Sequence, residues 1–246
     1  MLIAELGLNH FGDVELSDYM IDKLLKSKID AITFQIRESE FYNGKWKNFL
    51  LPESYYEKAV SKIHEHDKLF GMAISDMDKI EFFEKINTDF YKILSKDLKN
   101  TKFLQTLAFT TKKDTFLSTG LSNFEDIDEA LNILEKNTTL IHTRLSNKAK
   151  DVNLKAIETM KSKYDNRIAF GLHCENEHII YAAAAYEPSD YFIYIKSSKN
   201  NLEAPDDLHA IEVSDIDNLI KNIKDIERSI GTGVKNQANN TIRGQQ

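Results

Sequence analysis

Residues with acid–base, anion-binding or metal-ligating chemistry recur in, or just after, short apolar runs of this 246-residue chain. Glu5, Asn9 and His10 accompany LIAELGL, Gln35 and Arg37 accompany AITFQI, and Ser75 and Asp76 follow LFGMAI. Lys92 and Ser95 belong to FYKILS, Ser118 and Thr119 to DTFLST, His142 and Arg144 to TLIHTR, His173 to RIAFGLH, and Lys196 and Ser197 to YFIYIKS. A carboxylate such as Glu5 or an ammonium such as Lys92 inside an apolar run is costly unless it is paired or opens onto a polar mouth. The two read either as parts of a site or as an ion pair across the interior. His10, His142 and His173, with Glu5 or Glu175, carry the donor atoms for a divalent metal or for proton transfer, although their spacing matches no local metal motif. Ser118-Thr119-Gly120 offers hydroxyls and a close-approaching backbone to an anion, and the same residues also suit a plain turn cap.

The elements that must position these groups repeat. Eight apolar runs are each followed by an amphipathic segment, with helices expected over 16–28, 52–66, 76–86, 98–109, 124–136, 153–164, 176–187 and 213–230. A strand followed by a helix, eight times, is the sequence form of a single (β/α)8 TIM barrel of the α/β class. The barrel is expected over 1–231, with 232–246 a polar tail or a cut linker. Active sites of such barrels sit at the C-terminal strand ends, where the polar residues fall. The runs are continuously apolar rather than alternating, as strands buried on both faces require. Ser17, Asn123 and Ser214 are candidate helix caps. Two loops on the expected catalytic face, 37–51 and 197–212, are long, and Phe41, Tyr42 and Trp46 could either stack on a substrate or pin the first of them.

The net charge of −7 argues against nucleic acid and anionic membrane as partners, since both rely on clustered basic residues. The lone cysteine, Cys174, excludes an intrachain disulfide and suits a reducing compartment. No apolar run approaches the roughly 20 residues of a membrane span, and a cytoplasmic protein is expected. The only GxG, Gly231-Thr232-Gly233, follows no strand, which argues against a phosphate-binding loop of the nucleotide type.

Several segments resemble the sialic acid synthase family. IAELGLNHFGDVELSDYMID is similar to that family's I-A-E-x-G-x-N-H-x-G opening, DAITFQ to its D-A-V-K-F-Q strand, and YKILSKDLKN to K-I-A-S-G-E-L-T-N. FLSTGLSNFEDIDEAL resembles I-L-S-T-G-M-A-T-x-E-E-I-x-E-A, and LIHTR with DVNLKAI resembles the paired L-L-H-C-T and D-V-N-L-x-A-I segments. The likeness runs from residue 2 to about 233.

The resemblance implies an enzyme that condenses phosphoenolpyruvate with an N-acetyl-hexosamine or related sugar to a 2-keto-3-deoxy (nonulosonic) acid. It matches Glu5 and Gln35 to sugar- and active-site-contacting positions, and Lys92, Ser95 and Ser118 to positions that hold the phosphoenolpyruvate carboxylate or phosphate. Taken with the other polar strand ends, Glu5, His10 and Lys92 are the expected catalytic groups, and Asn9, Gln35, Arg37, Ser95, Ser118, His142 and Arg144 the expected substrate-binding ones. His173 matches the first of two metal-binding histidines, and the implied cofactor is a divalent metal, manganese or magnesium. The ligand set is incomplete by sequence, because the second histidine aligns with Ser197; Glu175, Asp206 or His10 would have to complete it. Other departures are Thr33 in place of a phosphate-binding lysine, Met72-Ala73-Ile74-Ser75 in place of S-T-P-F, and Ala204-Pro205-Asp206-Asp207 in place of P-G-P-D-H. The family's C-terminal antifreeze-like domain finds no match in the sequence. The expected ligands are therefore a small sugar and an anionic phosphate or carboxylate substrate, and barrel–barrel contacts could make a homodimer. The alternative is a barrel that has lost condensation, acting on another sugar phosphate or as a binding protein in surface-glycan biosynthesis.

Overall fold

The computed structural model describes residues 1–134, 137–198 and 203–235. Eight parallel strands form a closed barrel: β1 (Leu2–Gly7), β2 (Ala31–Ile36), β3 (Leu69–Ile74), β4 (Phe90–Ile93), β5 (Asp114–Ser118), β6 (Thr138–His142), β7 (Ile168–Gly171) and β8 (Tyr191–Lys196). Each pairs with the next in sequence, and β8 closes the ring by pairing with β1 through Ile3 opposite Phe192 and Glu5 opposite Tyr194. A two-residue strand, β9 (Ile211–Glu212), extends the edge of β8. The helices α1 (Val14–Leu25), α2 (Glu53–His64), α3 (Ile80–Lys85), α4 (Thr101–Thr110), α5 (Phe124–Leu131), α6 (Ala156–Lys163), α7 (His178–Ala184) and α8 (Ile216–Ile230) alternate with the strands. The (β/α)8 barrel expected from the sequence is the observed fold.

Local chemistry moves the helix starts. α1 begins after Asp13, whose carboxylate accepts from the backbone N–H of Glu15 and Leu16, so Ser17 lies buried inside the helix rather than at its cap. α5 starts where expected, in a reciprocal capping box between Asn123 and Asp126. Asn153 takes a positive φ of 53°, which delays α6 to Ala156. Ser214 sits in a short 3-10 turn ahead of α8 and bonds Asp215 instead of capping a helix. The last two residues of the expected helix 124–136, residues 199–202 of the expected loop 197–212, and residues 236–246 of the expected tail lie outside the described residues.

The barrel interior is tiered, because alternate residues of a strand share a face. Ile3, Ala31, Phe90, Phe116, Ile141, Ala169 and Phe192 form an apolar cluster separate from the larger core between strands and helices. Phe116 meets Phe90 and Phe192 edge-to-face, with ring centroids 5.2 and 5.1 Å apart. This floor is filled tightly: a Cβ on Gly71 would lie 2.3 Å from the Phe90 ring, so only glycine fits opposite it. Two residues further along the same strands come Glu5, Thr33, Lys92, Ser118, Thr143 and Tyr194, the first polar tier of the mouth.

The long loop after β2 is pinned by its own aromatic residues. Phe41 stacks on Trp46, Trp46 packs edge-on against Phe49, and Phe49 against Phe11 of the β1–α1 turn. The loop backbone presses onto Gly12 (φ 74°), where a Cβ would stand 1.8 Å from the Asn48 carbonyl oxygen. Cys174 is buried. Among the described residues no helix is long and apolar enough to cross a membrane.

Candidate active site

One pocket, with about 170 Å³ of free space, opens at the C-terminal end of the barrel. Gln35 and Arg37 reach it from β2, Lys92, Ser95 and Lys96 from β4, and Ser118 from β5. His173 reaches it from β7, Tyr194 from β8, and Asp206 from the loop beyond β8. Strand period explains the convergence: Gln35 and Arg37 continue the inward face of Thr33, and Tyr194 that of Phe192.

A buried polar chain crosses the pocket floor. Lys92 Nζ donates to Glu5 Oε2 in a short contact and to Tyr194 Oη at 3.1 Å, and its ammonium lies 5.0 Å above the Phe192 ring. Tyr194 Oη in turn stands 3.1 Å from His173 Nε2. Glu5 and Tyr194 are almost fully enclosed, and burial with the nearby Glu5 carboxylate pushes the Tyr194 hydroxyl well above its ordinary value. The ion pair allowed for in the sequence is therefore present, and Lys92 also faces the pocket. Ser95 Oγ accepts from the Gly120 backbone N–H at 3.1 Å, which joins the ends of β4 and β5.

Opposite the lysine, His173, Asp206 and His209 bring one ligand atom each within 4.8 Å of one another. Burial first, then the neighbouring Glu5 carboxylate, raises Asp206 to about 7, while Lys92 and Arg37 oppose the rise. Burial lowers His209 to about 4 and holds His173 well below 6.5. Both rings are thus neutral at physiological pH, the form in which imidazole ligates a metal. His209 Nε2 is buried without a hydrogen-bond partner, as are Glu5 Oε1, Thr33 Oγ1 and Thr143 Oγ1 in the mouth. Buried orphan polar atoms are rare in native proteins and need a ligand or water. The three side chains therefore fit a divalent cation of the kind bound by nitrogen and oxygen donors.

The structure brings Glu5, Gln35, Arg37, Lys92, Ser95, Ser118 and His173 together and leaves the other expected residues outside this pocket. Asn9 Nδ2 donates to the Ile195 carbonyl at 2.9 Å, tying the turn after β1 to β8. His10 is fully buried against Phe34, and its Nδ1 accepts from the Gly12 N–H at 3.0 Å; burial lowers it to about 3. His142 and Arg144 project on the helix side of β6, into a second pocket of about 310 Å³ between α5 and α6, where His142 Nε2 meets the Val152 carbonyl at 2.9 Å. Ser197, the position aligned with a second metal histidine, lies outside the cluster; His209 stands there instead.

Tyr194, Lys96 and His209 join the site from outside the residues expected from the sequence. Tyr194 carried a usable signal, two residues past Phe192 on an inward face. His209 stands three residues after Asp206 across a single 3-10 turn, Asp207–His209, which is too short to leave a readable repeat in the sequence.

A protein-family model described as the NeuB family matches residues 13–235. An uncharacterized protein of Methanocaldococcus jannaschii is 30% identical, with 95% of this chain and 73% of that protein aligned. An N,N'-diacetyllegionaminic acid synthase of Campylobacter jejuni is 27% identical over 96% of this chain and 78% of its own length. The crystal structure of an N-acetylneuraminic acid synthetase from Leptospira borgpetersenii, in complex with citrate, superposes with a TM-score of 0.88 at 27% identity, covering 96% of this chain and 87% of that one.

Proposed function

This chain belongs to the NeuB family, and we propose from that premise that it condenses phosphoenolpyruvate with an N-acetyl-hexosamine or related aldose to a nonulosonic acid. In this reaction carbon 3 of the enol bonds to the aldehyde carbon, water adds at carbon 2, and phosphate leaves. The observation that carries the reading is the division of one pocket into a cationic half, Lys92 with Arg37 and Lys96, and a half lined by His173 and Asp206, which His209 joins from behind as a third ligand. The synthase relatives support it over a barrel that has lost condensation.

Phosphoenolpyruvate brings about three negative charges whose desolvation must be offset by cations and hydrogen-bond donors. Lys92 is fixed by Glu5 and Tyr194, so it meets the donor without losing side-chain freedom on binding. Ser95 and Ser118 add hydroxyl donors beside it. Gln35 lies on the same inward face as Arg37 and can hydrogen-bond a sugar hydroxyl or amide. His173, Asp206 and His209 would hold a divalent manganese or magnesium ion, which as a Lewis acid would polarise a carbonyl oxygen. The apolar floor under Lys92 keeps water from the lower face of the pocket.

The test is phosphate release from phosphoenolpyruvate with a panel of N-acetyl-hexosamines and manganese or magnesium chloride. Turnover with at least one aldose, abolished by chelator, is expected. No release with any acceptor and either metal would end the proposal.

A further inference from the structure

Two cations on different strands converge on one carboxylate at the pocket rim. Arg37, following β2, donates from Nε to Glu38 Oε2 and from Nη2 to Glu38 Oε1, each at 3.1 Å. Lys96, following β4, reaches the same Glu38 Oε2 from the other side at 3.1 Å. A guanidinium fork closed on two oxygens, with an ammonium sharing one of them, is the arrangement that suits a phosphoryl group. Glu38 thus occupies the position of an oxyanion. Partial burial alone would raise its carboxyl, but Arg37 and Lys96 pull it down to about 2.

Both cations are oriented from behind. The Arg37 guanidinium lies 4.3 Å over the Phe41 ring, which the Trp46 stack holds in place. Lys96 Nζ is anchored by Asp97 Oδ1 at 2.8 Å, and the other oxygen of that buried carboxylate accepts from Ser75 Oγ at 2.5 Å. An ammonium has three N–H donors; Asp97 and Glu38 take two, and one remains for a ligand. Arg37 and Lys96 line the pocket, and Glu38 stands beside it. Deeper in, the inward face of strand β2 carries the uncharged Thr33 and Gln35, so the cations reaching the pocket from this side are at the rim.

We propose that Arg37 and Lys96 form a phosphoryl-binding pair at the rim and that Glu38 is its internal occupant in the free protein. Phosphoenolpyruvate then binds with its carboxylate deep, against Lys92 and Ser118, and its phosphoryl group displaces Glu38 outward. This orientation rests on the synthase reading; the rim pair itself rests only on the contacts above.

Direct binding separates the two. Calorimetric titration of the full chain with inorganic phosphate, phosphoenolpyruvate and pyruvate reads the rim without any sugar or turnover. Glu38→Gln removes the competitor and should tighten phosphate and phosphoenolpyruvate by about threefold, as expected for loss of a half-exposed ion pair. Lys96→Met should weaken both by about tenfold. Pyruvate, which has a carboxylate and no phosphoryl group, should bind unchanged in both variants. Weaker or unchanged phosphate binding in Glu38→Gln, or a pyruvate shift equal to the phosphate shift, overturns the rim pair, as does failure of the wild-type chain to bind phosphate or phosphoenolpyruvate. Phosphate binding that follows the expected pattern, in a protein that condenses no sugar, upholds the rim pair and defeats the synthase reading alone. Circular dichroism melts check that each variant is folded.

Discussion

The floor and the mouth of the barrel come from the same strands, two residues apart, and differ in nearly every physical property. Ile3, Phe90, Phe116 and Phe192 fill the floor with apolar contacts, and none of them brings a polar side-chain atom inside. One step along, Glu5, Lys92, Ser118 and Tyr194 enclose charges and hydroxyls, and Glu5 Oε1 and Thr33 Oγ1 have no hydrogen-bond partner. Apolar burial at about 25 cal/mol per Å² is the source of stability in the lower tier, while the upper tier carries the desolvation cost of its polar groups. Stability and chemistry are thus separated along the strand axis, not divided between strands.

That separation can be broken most forcefully at Phe116. Phe116→Ala opens a cavity in the floor and should lower the unfolding free energy by about 3–5 kcal/mol, with kcat/KM per folded molecule unchanged. Denaturant melts alongside turnover corrected for folded fraction would read this, and a fall in corrected turnover would show that the tiers are coupled. Lys92→Met strikes the upper tier and should lower turnover by about 100- to 1000-fold. It also strands the buried Glu5 carboxylate, so the fold weakens as well. Adding Glu5→Gln to the same chain should recover stability and leave turnover lost, which sharpens the contrast.

A smaller effect is expected within the mouth, from pH. The protonated form of Asp206 competes with metal, and that carboxyl is raised to about 7 while His209 lies at about 4. Manganese affinity should therefore climb by about tenfold per pH unit up to neutrality and flatten above it. In metal-free protein the sign for stability is opposite. A carboxyl whose folded value exceeds its unfolded value, 3.8, stabilises only while protonated, so its contribution fades as pH rises toward 7. Manganese titrations across pH check the first slope. The second is read as the difference between thermal melts of wild-type and Asp206→Asn protein across pH, because the buried His173 and His209 pull total stability the other way over the same range. The smallest change is expected at His142→Gln, about 1 kcal/mol of stability from the bond to the Val152 carbonyl. A shift in the sugar's KM in that variant would show that substrate extends into the second pocket.

The barrel was legible in the sequence because strands buried on both faces leave continuous apolar runs, and eight of them at regular spacing admit few other folds. The helix starts were less so: Asp13 and Ser17 are both competent caps, and only the backbone decides between them. In the mouth, the residues on strands were the readable ones, since period two predicts that Gln35 and Arg37 share a face. His10 and His142 show the limit. His10 follows β1 and His142 ends β6, yet His10 turns under Phe34 and His142 falls on the odd step, toward the helices. His209 and Lys96 sit in three-residue 3-10 turns, too short for a repeat to convert position into direction.

The contact between Gly12 and Asn48 has a mechanical consequence. A single methyl group at position 12 would act as a wedge, because it cannot fit beneath the Asn48 carbonyl. Gly12→Ala would lift the segment 37–51 and with it Phe41, the surface on which the Arg37 guanidinium rests. The reach of that arm into the pocket can therefore be retuned from the far side of the loop, with the identity of every pocket-lining residue unchanged.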